Sequence, residues 1–252
     1  MDDDALLSLA ADLASRAAEI ILAVRERGFD VVSKSDKSPV TAADHAAEAL
    51  IVGALRAATP DLPVIAEEEV AAGRITEPAP AFWLVDPLDG TREFAADRDD
   101  FTVNIGLVRA GRAVLGAVAA PAYGELFGGI VGRGAWKRSV SGTMPVSART
   151  PPPEGLTVFA SRHHGNEPRL QAFLENRRVA MVKHIGSGVK FCRLAEGVGD
   201  LYPRFGRTME WDTAAPQAVL EAAGGRVQLF DGGELAYGKP DWENPPFFCS
   251  GR

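Results

Sequence analysis

The stretch Phe82-Trp83-Leu84-Val85-Asp86-Pro87-Leu88-Asp89-Gly90-Thr91 constrains this chain more than any other. The apolar run from Phe82 to Val85 predicts a buried strand that delivers Asp86 at its C-terminal end. Pro87 cannot donate to a ladder and biases Asp86 towards extended backbone, so the chain is expected to turn there and present Asp89. Gly90 allows a ligand to approach the backbone closely. Thr91 is expected to open a short helix, whose first N–H groups have no internal partner and suit an anion. Two carboxylates this close repel each other unless a cation lies between them. Mg²⁺ in particular combines one or two carboxylates with the phosphate oxygens of a substrate. Pro-x-Asp-Gly is also ordinary turn chemistry, so the motif needs support from elsewhere in the chain.

Three other acidic positions offer that support. Thr41-Ala42-Ala43-Asp44 opens a helix expected to run to about Ala58, with Asp44 at the spacing of a capping box. A first-turn carboxylate can cap and also point into a site. The short apolar run Leu62–Ile65 leads into Glu67-Glu68-Glu69, which by itself reads as a solvated loop. Acids that follow a strand shortly before Asp86 are nevertheless placed to converge on the same spot. Trp211-Asp212-Thr213 begins a helix running to Ala223 and stopping at Gly224-Gly225, with Asp212 expected as its N-cap and Pro216 in its first turn.

The remaining pattern is that of a mixed α/β protein. Leu6, Leu9, Leu13, Ala17, Ile20, Ile21 and Val24 form a helical stripe over residues 4–27 that ends at Gly28. A strand-like Val31-Val32 and a polar turn at Lys37-Ser38-Pro39 follow. Residues 101–108, 113–120 and 125–131 predict an antiparallel meander with a hairpin at Arg109–Arg112. Thr150–Gly155 marks the expected boundary between an N-terminal half, 1–150, and a C-terminal half, 151–252. Beyond it, strands at 156–160, 179–185, 200–205 and 247–249 alternate with helices at 167–178 and 188–197. A formal net charge of -7 with no basic run disfavours nucleic acid as a partner. No apolar run has the length of a membrane span. The acidic start Met1-Asp2-Asp3-Asp4 is unlike the basic leader of a secretion signal, and Cys192 and Cys249 read as buried thiols. The cytoplasm is the expected compartment.

With Asp44, the glutamate cluster, Asp86–Thr91 and Trp211-Asp212 in this order, the chain resembles the inositol monophosphatase superfamily over nearly its whole length. Within it, Ser38–Asp44, Asp86–Phe94, Phe101–Ile105, Gly186-Ser187 with Lys190-Phe191-Cys192, and Leu201–Gly206 are most similar to the CysQ type, the 3'(2'),5'-bisphosphate nucleotidases. The resemblance implies a layered αβαβα fold with two sub-domains. It implies two or three Mg²⁺ ions held by Glu67, Asp86, the Leu88 carbonyl, Asp89 and Asp212. Asp44, Glu67 and Thr91 take the catalytic positions that handle the attacking water. Gly90, Thr91, His164, Ser187, Lys190, Arg204 and Asp212 take the substrate-binding positions. The implied reaction is hydrolysis of the 3'-phosphate of 3'-phosphoadenosine 5'-phosphate to AMP and phosphate. The expected partner is therefore a phosphorylated nucleotide, with room left for a homodimer. The chain departs from the family at Pro216, where glycine is frequent, and at Glu69, where a small polar residue is common. The rival readings are another small phosphomonoester as substrate, such as inositol 1-phosphate, and a non-catalytic metal- or nucleotide-binding regulator.

Overall fold

The structure, a computed structural model, describes residues 1–33, 39–74, 76–162 and 167–252. Helix α1 (Asp3–Arg27) forms on the expected stripe. Asp2 caps it by accepting from the Ala5 N–H, and Gly28 ends it at φ 79°. Helix α2 (Ala42–Ala58) begins with the expected capping box: Asp44 Oδ2 accepts from the Thr41 N–H at 2.7 Å, while Thr41 Oγ1 accepts from the Ala43 N–H at 3.1 Å. These helices bury Leu6, Leu13, Ile21, Ala47, Ile51 and Leu55 against one face of a seven-stranded sheet.

That sheet runs β1 (Val64–Ala66), β2 (Ala81–Asp89), β3 (Thr102–Arg109), β4 (Arg112–Ala120), β5 (Glu125–Ile130), β6 (Gly134–Ser139) and β7 (Gly142–Val146), each beside the next. β1 and β2 are parallel and the rest antiparallel. Ala110 and Gly111 both take positive φ in the expected hairpin, as a two-residue turn of right-handed twist requires. The outer pair β6–β7 is missing from the sequence reading. Most of its residues are exposed or half-buried, so no apolar alternation betrays it.

Helix α3 (Glu67–Ala71) stands where a solvated loop was expected. Glu68 and Glu69 are both buried, and α2 meets the backbone of the first and the side chain of the second. The Glu68 N–H donates to Glu48 Oε2 at 2.7 Å, and Arg56 grips Glu69 through two bonds of 3.0 and 2.7 Å. Helix α4 (Thr91–Ala95) follows Gly90, whose φ of 94° suits glycine.

A second sheet of five strands has the order β9 (Val179–Ile185), β8 (Leu156–Ser161), β10 (Leu201–Arg204), β12 (Phe247–Ser250) and β11 (Arg226–Leu229). β8, β9 and β10 are mutually parallel in their pairings, and β12 is antiparallel to both neighbours. Helix α5 (Glu167–Leu174) covers its outer face through Leu170 against Val158, Ala160 and Leu201. It ends short of residue 178 because Arg177 turns back, its N–H to Leu174 O and its guanidinium to Phe173 O. Helices α6 (Val189–Ala195) and α7 (Glu210–Ala222) fill the space between the sheets, where Phe191, Leu194, Ala214 and Ala218 meet Leu84, Val118, Tyr202 and Phe247. The order of layers is helix, sheet, helix, sheet, helix, which is the expected αβαβα arrangement.

Helix α7 lies unusually close to the large sheet. A Cβ on Gly106 would stand 2.6 Å from Ala215 N, and one on Gly116 would stand 2.6 Å from Ala215 Cα. Two expectations about this helix need correction. Its N-cap is Met209, and Asp212 is the third helical residue, accepting from the Met209 N–H at 2.9 Å. Pro216 is the seventh helical residue, past the first turn, so the Asp212 carbonyl lacks the N–H that a helix would normally send it.

Candidate active site

Parallel strands of both sheets end at one cleft of about 320 Å³. From the large sheet, β1 ends into Glu67 and β2 into Asp86–Asp89. From the small sheet, β8 ends at Ser161-Arg162, β9 at Gly186–Gly188 and β10 at Arg204, and all of these line it. Ligand sites of open α/β sheets collect at such carboxyl ends. The first turn of α7 contributes Asp212.

Asp86 and Asp89 reach the same cleft through a correction to the sequence reading. β2 does not stop at Pro87 but runs on to Asp89 with a bulge, since Asp86 pairs with Asn104 and Asp89 with Thr102. In a regular strand an odd separation sends two side chains to opposite faces. The extra residue of the bulge brings both carboxylates to one side. Pro87 falls inside that irregularity, where a missing donor costs no ladder bond.

The acidic end is crowded. Burial, followed by the charges of Glu67, Asp89 and Asp212 and a hydrogen bond with Glu67, pushes the Asp86 carboxyl well above the usual carboxylate range. Burial, then Asp89 and Glu67, pushes Asp212 up to about 8. Asp86 Oδ1 accepts from the Leu88 N–H at 3.0 Å. Asp89 Oδ2 accepts from Ser187 Oγ at 2.7 Å and the Gly188 N–H at 2.6 Å. Among the described residues no group of three or more acidic, histidine or cysteine side chains is gathered closely enough to hold a metal ion as it stands. Glu67, Asp86, Asp89 and Asp212 instead share the open cleft with Leu88. Hard oxygen donors, two of which, Asp86 and Asp212, are pushed towards their protonated forms by burial and like charge, fit a hard divalent cation.

Asp44 does not line the cleft but acts on it. Its Oδ1 lies 3.2 Å from Thr91 Oγ1, and the same hydroxyl lies 3.0 Å from Leu88 O. Gly90 and Thr91 are at the cleft wall. Glu69 is not; it faces Arg56.

Cations line the same cleft beside these acids. Lys190 is buried, donates to Ser187 O at 2.7 Å and Ile185 O at 3.2 Å, and stands over the Tyr202 ring at 4.9 Å. Burial, helped by the Arg204 charge, lowers its ammonium to about 8. Arg204 is also buried and donates to Ser161 Oγ, Gly206 O and Arg207 O. Ser187 takes a left-handed φ of 54°, and this directs its hydroxyl to Asp89. His164 lies outside the described residues. Arg92, Arg162 and Arg207 line the cleft too and were missed. Arg162 directly follows an expected strand, so its place at a strand end was available as a signal, although the order of strands was not.

Clustered carboxylates and cations in one cleft of an αβαβα frame are the features of a phosphoryl-handling enzyme site. The chain belongs to the inositol monophosphatase family, whose model matches residues 2–246. It is 40% identical over 248 residues to the 3'(2'),5'-bisphosphate nucleotidase CysQ of Escherichia coli K12, covering 97% of this chain and 99% of that one. It is 36% identical to a 3'-phosphoadenosine 5'-phosphate phosphatase of Mycobacterium leprae, over 95% of this chain and 87% of the other. The crystal structure of CysQ from Bacteroides thetaiotaomicron superposes with a TM-score of 0.81 at 34% identity, over 98% of this chain and 97% of that chain. Among the described residues no helix is long and apolar enough to cross a membrane.

Proposed function

We propose that this chain is a Mg²⁺-dependent phosphatase that removes the 3'-phosphate of 3'-phosphoadenosine 5'-phosphate, giving AMP and phosphate. The observation that carries the reading is the gathering of Glu67, Asp86, Asp89 and Asp212 from three separate segments into a cleft that Arg162, Lys190 and Arg204 also line. A nucleotide with two phosphates needs cations beside the acids. The names of the relatives in Escherichia coli and Mycobacterium leprae support the same substrate class.

Glu67, Asp86, the Leu88 carbonyl, Asp89 and Asp212 would hold the ions. Bound Mg²⁺ would supply neutralisation of the phosphoryl oxygens and a more acidic water. The chain's own residues do the rest. Thr91, its proton drawn towards Asp44, leaves lone pairs to orient the attacking water. Ser187 and the Gly188 N–H hold Asp89 in place. Water adds to phosphorus as the P–O bond to the ribose breaks, and the ribose oxygen leaves with a proton. No side chain becomes phosphorylated.

The test is Mg²⁺-dependent phosphate release from 3'-phosphoadenosine 5'-phosphate and inositol 1-phosphate side by side. The expected result is preference for the nucleotide, abolished by EDTA and by Asp89→Asn, with the variant's circular dichroism unchanged. Preference for inositol 1-phosphate would move the substrate within the family. No release from either would favour a binding regulator.

A further inference from the structure

Lys190 and Arg204, the cations that the sequence assigns to substrate phosphates, are already bonded to the fold. Those bonds take two of the three Lys190 donors and three of the five Arg204 donors, which leaves each only part of its set for an anion. Arg162 stands differently. It lines the same cleft at the carboxyl end of β8, with 32% of its side chain exposed. Its Nη2 donates to Asp100 Oδ2 at 2.9 Å and to His184 O at 3.1 Å, so these bonds use one corner of the guanidinium.

Asp100 is a buried anchor that the sequence reading passed over. It accepts from Tyr123 Oη at 2.7 Å and from the Gly186 N–H at 3.1 Å. Its backbone also sets the spacing of the cleft. A Cβ on Gly90 would stand 2.8 Å from Asp100 O, and one on Gly186 would stand 2.9 Å from Asp100 Cβ. Asp100 therefore touches the loop beside Asp89, the turn that holds Ser187, and the Arg162 side chain.

We propose that Arg162, held by Asp100, reads the phosphate of the nucleoside bisphosphate that is not hydrolysed. This rests on the bisphosphate reading above. A guanidinium pinned at one nitrogen gives up little freedom on binding, and its Nε–H and Nη1 hydrogens stay available as donors to a phosphate. Of the other added cations of the cleft, Arg92 is exposed on α4, and Arg207 is held by Glu243, itself 45% exposed, where Arg162 is held by a buried carboxylate.

The experiment compares kcat/KM for adenosine 3',5'-bisphosphate and adenosine 3'-monophosphate, with Mg²⁺, in wild type, Arg162→Gln, Arg162→Lys and Asp100→Asn. In Arg162→Gln the bisphosphate value should fall roughly 10- to 100-fold, chiefly through KM, and the monophosphate value by less than about threefold. Arg162→Lys keeps the charge without the pinned guanidinium and should lose part of the preference. Asp100→Asn should shift the same ratio in the same direction by weakening the anchor. Thermal melting identifies a variant that fails to fold, and Arg162→Lys then carries the comparison. A wild type that treats both nucleotides alike overturns the bisphosphate reading and this assignment together. A wild type that prefers the bisphosphate, with Arg162 variants that keep the preference or lose both activities equally, overturns the assignment alone.

Discussion

The Thr91 hydroxyl has two acceptors within reach, Asp44 Oδ1 at 3.2 Å and Leu88 O at 3.0 Å, but a single proton to give. Donation to either leaves its lone pairs available to a water in the cleft. Asp44 divides its work by atom: Oδ2 accepts from the Thr41 N–H and Oγ1, both at 2.7 Å, and Oδ1 faces Thr91. The capping role and the site role that its spacing left open thus coexist on one carboxylate. Thr91→Val keeps the shape and removes the hydroxyl, so kcat should fall about 10²- to 10⁴-fold, the usual worth of a positioned proton acceptor. Thr91→Ser should retain most of the activity. Steady-state kinetics at saturating Mg²⁺ separates the two, and an active Thr91→Val beside an impaired Thr91→Ser would shift the role to the Thr91 methyl group.

Helix α7 carries Asp212 to the cleft, and its height above the sheet is set by two glycines without side chains to hold it off. Gly116→Ala would push a Cβ into Ala215 backbone and should destabilise by about 1–3 kcal/mol, as overpacking does. Gly53→Ala is the matched control. Gly53 is exposed inside α2 with nothing within 4 Å of its Cβ position, so it should stabilise by about 0.5–1 kcal/mol. Urea melts of the two variants test the difference in sign. Gly116 shows nothing special in sequence, because its partner is Ala215, far along the chain. The same holds for Asp100 and Gly186, which are joined across 86 positions. Elements with a buried face were legible: α1, α2 and β3–β5 carry periodic apolar residues. β6–β7 were not, having little buried area to impose a pattern. The metal-ligand candidates were legible as motifs because acids at strand ends and helix starts are local features. The bulge that turns Asp86 and Asp89 to one side was not, since it depends on the register with β3.

At the scale of the whole molecule, two sheets and the helices between them bury a set of like charges in one place. That arrangement makes the fold sensitive to pH when no cation is present. In an unfolded chain Asp212 ionises near its ordinary value of 3.8; in the folded chain it holds its proton to about 8, and Asp86 is raised in the same direction. Between those values the folded state binds more protons than the unfolded one, so raising the pH favours unfolding. Glu48, pushed up to about 7 chiefly by burial, adds to the slope from beneath α3. The metal-free protein should therefore melt at progressively lower temperature from pH 5 to pH 8. On the proposed ligand set Mg²⁺ would bind only the folded state and take Asp86 and Asp212 as anions, so it should flatten this slope and raise the melting temperature most at the alkaline end. Glu48, outside the cleft lining, keeps its share, so the slope shrinks without vanishing. Binding near pH 7 should also release protons, seen as a calorimetric heat that changes with the ionisation enthalpy of the buffer. A melting temperature that rises with pH in EDTA, or Mg²⁺ binding without proton release, would mean that these carboxylates are already ionised in the folded chain and that repulsion among them is relieved in some other way.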